Sequence, residues 1–363
     1  MGWSSSVKIV FVSSAESSVE LPTGSSARFT FLGCYTKGAG GEGEGIVRVH
    51  WDSQTGALIG PAMVAATPSP SFLVRHPELP MLYAANELHD GTVSAFLVTS
   101  DGALNPLGTW PSGGSFPCHL NIDTSGRHLL IANYGSGTVT AHALDENGVP
   151  TGRSDTAAHS GHGKHPERQE GPHAHSVAAA SDGVLAVDLG VDTVFFYRLD
   201  AATGRLGERE VAFRTRPGTG PRHLVWDRSG RLHLVGELDA SIATYEPGPD
   251  GWRELSRVPA SVDESAMPSE IALSGDGRFL YVANRGPDTI STFSLATAVP
   301  RFVGEVATGG AWPRHFAING AFLAVANQGS DSVVTFRLDH MTGLPNPTGD
   351  ILATRTPACV LPW

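Results

Sequence analysis

Charge is scarce in this chain, and long apolar runs are missing. Only 17% of its 363 residues are Asp, Glu, Lys or Arg, and the formal net charge is −11 at pH 7. That acidic balance excludes a general nucleic-acid binder or a binder of anionic membranes, while leaving room for a local basic pocket. No stretch approaches the length of a membrane span. Cysteine is rare as well. Cys34, Cys118 and Cys359 are odd in number, widely spaced and without a CxxC pair, which excludes a disulfide framework. The opening MGWSSSVKIVFVSSAESS has an apolar centre of about six residues, short of the roughly seven to fifteen of a secretory core. Residues 1–27 are therefore expected to be an extension without fixed structure, on a soluble, cytoplasmic protein. GxSxG elbows and Walker loops are also absent, and GAGGEGEG (38–45) opens no helix, so it reads as a hairpin loop. Long amphipathic helices are hard to find, because the apolar runs are five to eight residues long and bounded by Gly, Pro, Asp or Asn.

What is abundant is turn chemistry, with 43 Gly and 25 Pro. Such a composition suits many short strands joined by tight turns. A proline-led signal recurs at Pro70, Pro117, Pro172, Pro221, Pro268, Pro313 and Pro357, at intervals of 44–55 residues. After most of these signals come a Ser/Gly turn, an apolar strand ending in a polar pair, and a third strand such as TVSAFLV, TVTAHAL or SVVTFRL. A weaker fourth strand completes each unit. Four strands at that period are the signature of a β-propeller blade. Residues 28–64 lack a first strand, whereas the C-terminal TPACVLPW is a first strand with nothing after it. Joined, the two halves make a seventh blade and leave no open sheet edge. The expected fold is all-β: a single seven-bladed β-propeller over residues 28–363, four strands per blade, closed by N- and C-terminal strands sharing one blade. A monomer or weak homo-oligomer is the expected state.

In such a ring the proline-led starts of the first strands and the polar ends of the second strands face one mouth. The stretch GPRHLVWDRSGRLHLVGE (220–237) shows the consequence. Its two strands run antiparallel about a tight turn, so Arg222 and His223 lie beside Glu237. A cation, an imidazole and a carboxylate within reach of each other can bind and hydrolyse a polar substrate. The mouth is expected to gather Phe72, His119, His173, His175, Arg222, His223, Glu270, Arg314, His315 and Cys359 from first strands. Second strands add Glu87, Tyr134, Asp188, Glu237, Arg285 and Gln328. Strict alternation would forbid Arg222 and His223 from both entering the channel, leaving about half of these residues to structural work. The insertion HSGHGKHPERQEGPHAH (159–175) carries five histidines, but Gly-rich spacing without Cys or HExxH is a poor metal signal, and neither metal nor cofactor is expected. The loop reads better as a cover supplying Arg168, Gln169 and His173 to a substrate. Cys118 beside His119 is discounted as a nucleophile pair, because neighbours on a strand point opposite ways.

The motifs GxYT (Gly33–Thr36), RQxGPHxHS (Arg168–Ser176), DLGxD (Asp188–Asp192), GPRH (Gly220–His223), Glu237, NRG (Asn284–Gly286) and PRxF (Pro313–Phe316) carry a family resemblance. The chain resembles the seven-bladed-propeller lactonases, which include bacterial 6-phosphogluconolactonase and fungal carboxymuconate cycloisomerase. Where that family commonly has Asn-Glu, this chain has Gly236-Glu237. The resemblance implies hydrolysis of a small anionic lactone, expected to be 6-phospho-D-glucono-1,5-lactone of the pentose phosphate route. A carboxymuconate-type cycloisomerase, a lactonase for unphosphorylated sugars, and a non-catalytic binding propeller are the alternatives. It implies a catalytic set of His173 or His175, Arg222, Glu237 and Arg285. His119, Arg168, Gln169, His223, Glu270, Arg314 and His315 are the expected substrate-binding residues around it.

Overall fold

The computed structural model describes residues 29–363 and, for these, shows seven four-stranded antiparallel sheets. The expectation for residues 1–27 lies outside the described residues. Six sheets are built from consecutive strands, the first from Pro70–Arg75, Met81–Asn86, Thr92–Val98 and Leu104–Pro111. The seventh joins the C-terminal Pro357–Pro362 to Thr30–Cys34, followed by Ile46–Trp51 and Leu58–Ala65, with Leu32 opposite Val360. Inner strands contact one another in an unbroken cycle around the molecule, so the seven sheets form a closed propeller. No helix among the described residues is long and apolar enough to cross a membrane.

Burial explains the strand sequences. Second strands such as Met81–Asn86, His128–Asn133 and Phe322–Asn327 are buried along their whole length, so they read as continuous apolar runs. Outer strands such as Leu104–Pro111 are mostly exposed. Seven apolar clusters fill the seven gaps between adjacent blades. One packs Leu32, Val49 and Trp51 of the closing blade against Phe322, Ala324 and Val333 of its neighbour. The hydrophobic effect therefore acts between blades and draws the ring shut.

Every inner strand carries one residue more than its partner near the mouth, a β-bulge repeated seven times. In the fourth repeat Pro221 pairs with Gly236 and Leu224 with Leu234, so Arg222 and His223 face the single residue Val235. A bulge breaks alternation and re-aims side chains. The expectation that only one of Arg222 and His223 could face inward is thereby corrected. Ahead of the bulge, Ser69, Phe116, Gly220, Trp312 and Thr356 each precede the strand proline with φ between 41° and 58°. Only Gly220 adopts that left-handed conformation without steric penalty. In the third repeat the inner strand is Ala174–Ala180, so Pro172 lies outside it.

Candidate active site

Glu237 follows the second strand Leu232–Gly236 and points to where three guanidiniums meet. Arg285 Nη2 lies 2.8 Å and Arg222 Nε 3.1 Å from its Oε2, while Arg168 Nη2 lies 2.5 Å from Oε1. The carboxylate is 1% exposed. Burial alone would push its pKa up, but Arg285, Arg222 and Arg168 outweigh burial and hold it at about 2. Arg222 also donates Nη1 to Ser269 O, and Arg285 donates Nε to Met267 O at 3.1 Å. Burial, then the neighbouring Arg285 charge, lowers Arg222 to about 10, so it stays protonated at neutral pH. Arg222 Nη2 and Arg285 Nη1 have no partner among the described residues and remain available to a ligand.

A second carboxylate cluster stands on the rim. The Tyr35 hydroxyl donates to Glu87 Oε2 at 2.6 Å, Arg314 Nη2 reaches the same oxygen at 3.2 Å, and the Arg314 guanidinium lies 5.1 Å over the Tyr35 ring. Four guanidiniums thus face two carboxylates across the two clusters. Deeper in the channel stand Phe72, His119, His223, Glu270 and His315, with ring centroids 4.2 Å apart for Phe72–His119 and 5.0 Å for His119–His223. His119 Nδ1 accepts from Val177 N–H at 3.4 Å, and His315 Nδ1 from Val360 N–H at 3.3 Å. Burial, and in each case a nearby positive or titratable neighbour, pushes His119, His175 and His223 well below the ordinary imidazole range. His315 falls to about 4, chiefly through burial. The imidazoles are neutral at pH 7.

The insertion divides its residues between site and scaffold. His173 stacks on Tyr134 at 4.3 Å and commits both ring nitrogens, Nδ1 to Tyr134 O and Nε2 to Glu170, each at 3.0 Å. His175 sits on the bulge of its strand, 5.2 Å from the His223 ring, and its Nε2 has no partner among the described residues. Geometry therefore separates the two histidines that the sequence left equivalent. Gln169 is a brace: Oε1 accepts from Lys164 and His165 N–H, and Nε2 donates to Leu189 O. Its expected contact with substrate is corrected accordingly, because its amide is spent on the loop's own backbone. Only Arg168 of the Arg168–Gln169 pair reaches the Glu237 carboxylate. His159 is buried against Asp188 at 2.5 Å. Among the described residues no group of three His, Cys, Asp or Glu side chains is disposed to hold a metal ion. Cys118 is buried and its thiol pushed up by that burial, which removes it as a thiolate nucleophile. Cys359 is also buried, accepting from Leu73 N–H, and Asp188 accepts from Gly190 and Val191 N–H of its own turn and from His173 N–H of the insertion.

Comparison with known proteins agrees with this arrangement. The family model described as "Lactonase, 7-bladed beta-propeller" matches residues 29–362. The chain belongs to that family. The family match and the named relatives below support a hydrolase that acts on lactone esters. A 6-phosphogluconolactonase of Bacillus subtilis is 33% identical over 302 residues, covering 80% of this chain and 84% of that protein. Another 6-phosphogluconolactonase, from Formosa agariphila, is 31% identical, covering 80% of this chain and 86% of that protein. The solved structure of a periplasmic gluconolactonase from Pseudomonas aeruginosa is 29% identical, with a TM-score of 0.84 over 92% of this chain and 98% of that one.

For this lactonase, two mouth residues escaped the sequence reading. Tyr35 occupies in the closing blade the place that Glu87, Tyr134 and Glu237 hold in theirs, but its blade begins the chain and the repeat signal is cut there. Aligning the N-terminal half-repeat with the others would have found it. Trp312 lies 36% exposed at φ 58°, with the Arg285 guanidinium 5.4 Å from its ring. No motif marks it.

Proposed function

We propose that this lactonase hydrolyses 6-phospho-D-glucono-1,5-lactone, or a lactone of the same size and charge, at the mouth centred on Glu237. The observation that carries the reading is the convergence of Arg168, Arg222 and Arg285 on one buried carboxylate, with guanidinium N–H groups left over. Ionised donors in a buried site suit a phosphate and a developing oxyanion alike. The names of the Bacillus and Formosa relatives support the phosphorylated substrate.

In this mechanism the substrate's anion meets the rim guanidiniums, Arg314 and Arg168 foremost. The lactone carbonyl oxygen points to Arg222 Nη2 and Arg285. His175, neutral and with Nε2 free, takes a proton from water as the water oxygen attacks the carbonyl carbon. The oxyanion collapses, the ring C–O bond breaks, and the ring oxygen takes the proton back from His175 to give the open-chain acid. Binding an anion offsets the guanidinium charges that disfavour imidazolium, so His175 becomes a better base once substrate is present. Glu237 is ionised among its three arginines. A carboxylate of pKa about 2 is a weak base, however, and in this mechanism it orients the three guanidiniums. The cytoplasmic address is part of the same proposal, supported by three buried thiols without a disulfide.

The test is a panel of phosphorylated and plain sugar lactones, assayed against the uncatalysed rate with and without EDTA. The proposal predicts the highest kcat/KM for the phosphorylated δ-lactone and no effect of chelator. The gluconolactonase name of the Pseudomonas relative favours a second reading, in which the plain sugar lactone is the better substrate. Rates at background for every lactone would overturn both.

A further inference from the structure

Glu270 lies on the inner strand Met267–Leu273, one blade away from Arg222. The mechanism above gives it no step. Its surroundings fix where the protons of the channel floor must be. Glu270 Oε2 lies 3.1 Å from His223 Nδ1 and 3.3 Å from His315 Nε2, and Oε1 accepts from Ile271 N–H at 3.0 Å. On its far side His223 Nε2 lies 3.4 Å from Arg222 Nη1. A guanidinium only donates, so His223 Nε2 must accept and its single proton must sit on Nδ1. Likewise His315 Nδ1 accepts from Val360 N–H, so its proton sits on Nε2. Both imidazole N–H groups then point at one carboxylate oxygen.

We propose that Glu270 is a positioning residue of the lactonase site: by accepting from His223 Nδ1–H it fixes the tautomer that presents the Nε2 lone pair to Arg222, and so holds the guanidinium in its working orientation. Arg222 is then fixed from three sides. Glu237 takes Nε, whereas His223 and Ser269 O take Nη1, and Nη2 is the one nitrogen left for the reacting carbonyl. With the opposite tautomer, a donor on His223 would face a donor on Arg222, and the guanidinium would be displaced. The expected substrate contacts of Glu270, His223 and His315 become support for Arg222 in this inference. Both Glu270 oxygens are acceptors already engaged on the floor, which leaves the rim arginines to hold a phosphate.

The inference rests on the reading of Arg222 as the oxyanion donor, and two measurements separate their failures. The first needs no activity. Nitrogen-15 chemical shifts of the histidines in the unliganded wild-type protein should show His223 protonated at Nδ1 and bare at Nε2. The reverse tautomer overturns the proposal whatever the enzyme hydrolyses. The second is a double-mutant cycle on hydrolysis of the preferred lactone. Glu270→Gln turns an amide donor toward one of the two histidines, and its kcat/KM should fall about tenfold to a hundredfold, mostly in kcat. In an Arg222→Ala background the same change should cost less than about twofold, because the group it positions is gone. Glu270→Asp, which keeps an acceptor, should recover part of the loss. An equal loss in both backgrounds would mean that Glu270 acts on the substrate or on the fold, and would overturn the proposal. So would a single variant with unchanged activity.

Discussion

Burial would by itself push the Glu237 carboxyl up, and only Arg285, Arg222 and Arg168 keep it at about 2. The folded value lies below the ordinary 4.5, so the stabilisation from ionised Glu237 is complete above about pH 4.5. It is lost as pH falls through about 2. Glu237→Gln leaves three guanidiniums around a neutral amide, and removing one partner of a buried ion pair costs about 3–5 kcal/mol. The variant should therefore melt well below wild type at pH 7, with the gap closing between about pH 4.5 and 2. Thermal melts of both proteins across that range are the check, and a gap independent of pH would contradict the assignment. Proximity of Arg222, His223 and Glu237 was legible in the sequence, since an antiparallel hairpin brings its two ends together. Their orientation was not. Alternation predicts opposite directions for Arg222 and His223, and the bulge that overrides it depends on backbone pairing with Val235 rather than on any side-chain pattern. The difference between His173 and His175 was equally hidden, because it rests on Tyr134 and Glu170.

At the scale of the strand and turn, the fourth repeat builds differently a junction that three others share. In three repeats an Asn at the end of the second strand donates to hydroxyls on the third: Asn86 to Thr92 and Ser94, Asn133 to Thr138, Asn284 to Thr289 and Ser291. Here Gly236 takes that place, and Asp239 accepts from Ser241 Oγ at 2.6 Å, from Thr219 and from Arg257. A Cβ on Gly236 would stand 2.2 Å from Asp239 Oδ1 and 2.7 Å from Thr219 Cγ2. Restoring the common residue with Gly236→Asn should therefore destabilise by about 1–3 kcal/mol. Adding Asp239→Gly should recover part of that loss, since the new Asn can then reach Ser241. Melting temperatures of the two single variants and the double variant decide this, and strictly additive shifts would count against it. The altered dipeptide could be seen in the sequence, but its compensation three residues later could not, because Asp239 reads there as an ordinary turn residue. Conversely, the start of the third repeat was set too early at Pro172, since the long insertion carries the proline ahead of Ala174.

For the whole molecule, closure was the most legible property: two incomplete repeats at opposite ends of the chain make one complete blade. The strand Pro357–Pro362 supplies the inner edge of that blade and packs Val360 beside Leu32 and Val49. Deleting residues 355–363 exposes a strand edge and two apolar faces, so the truncated chain should be lost to aggregation. A soluble truncated protein with wild-type circular dichroism would contradict closure through this strand. The ring matters for chemistry because it brings Arg222, Arg285 and Arg314 together from three blades and adds Arg168 from an insertion. In the proposed mechanism these guanidiniums hold the oxyanion and the anion of a lactone. The most direct test is steady-state hydrolysis of 6-phosphogluconolactone by Arg222→Ala and Arg222→Lys, each verified as folded. Arg222→Ala should lose about 10²–10³ in kcat. Arg222→Lys should recover little of it, because an ammonium cannot replace the fork that joins Glu237, His223, Ser269 and the substrate. Turnover near wild type in either variant would place the chemistry elsewhere.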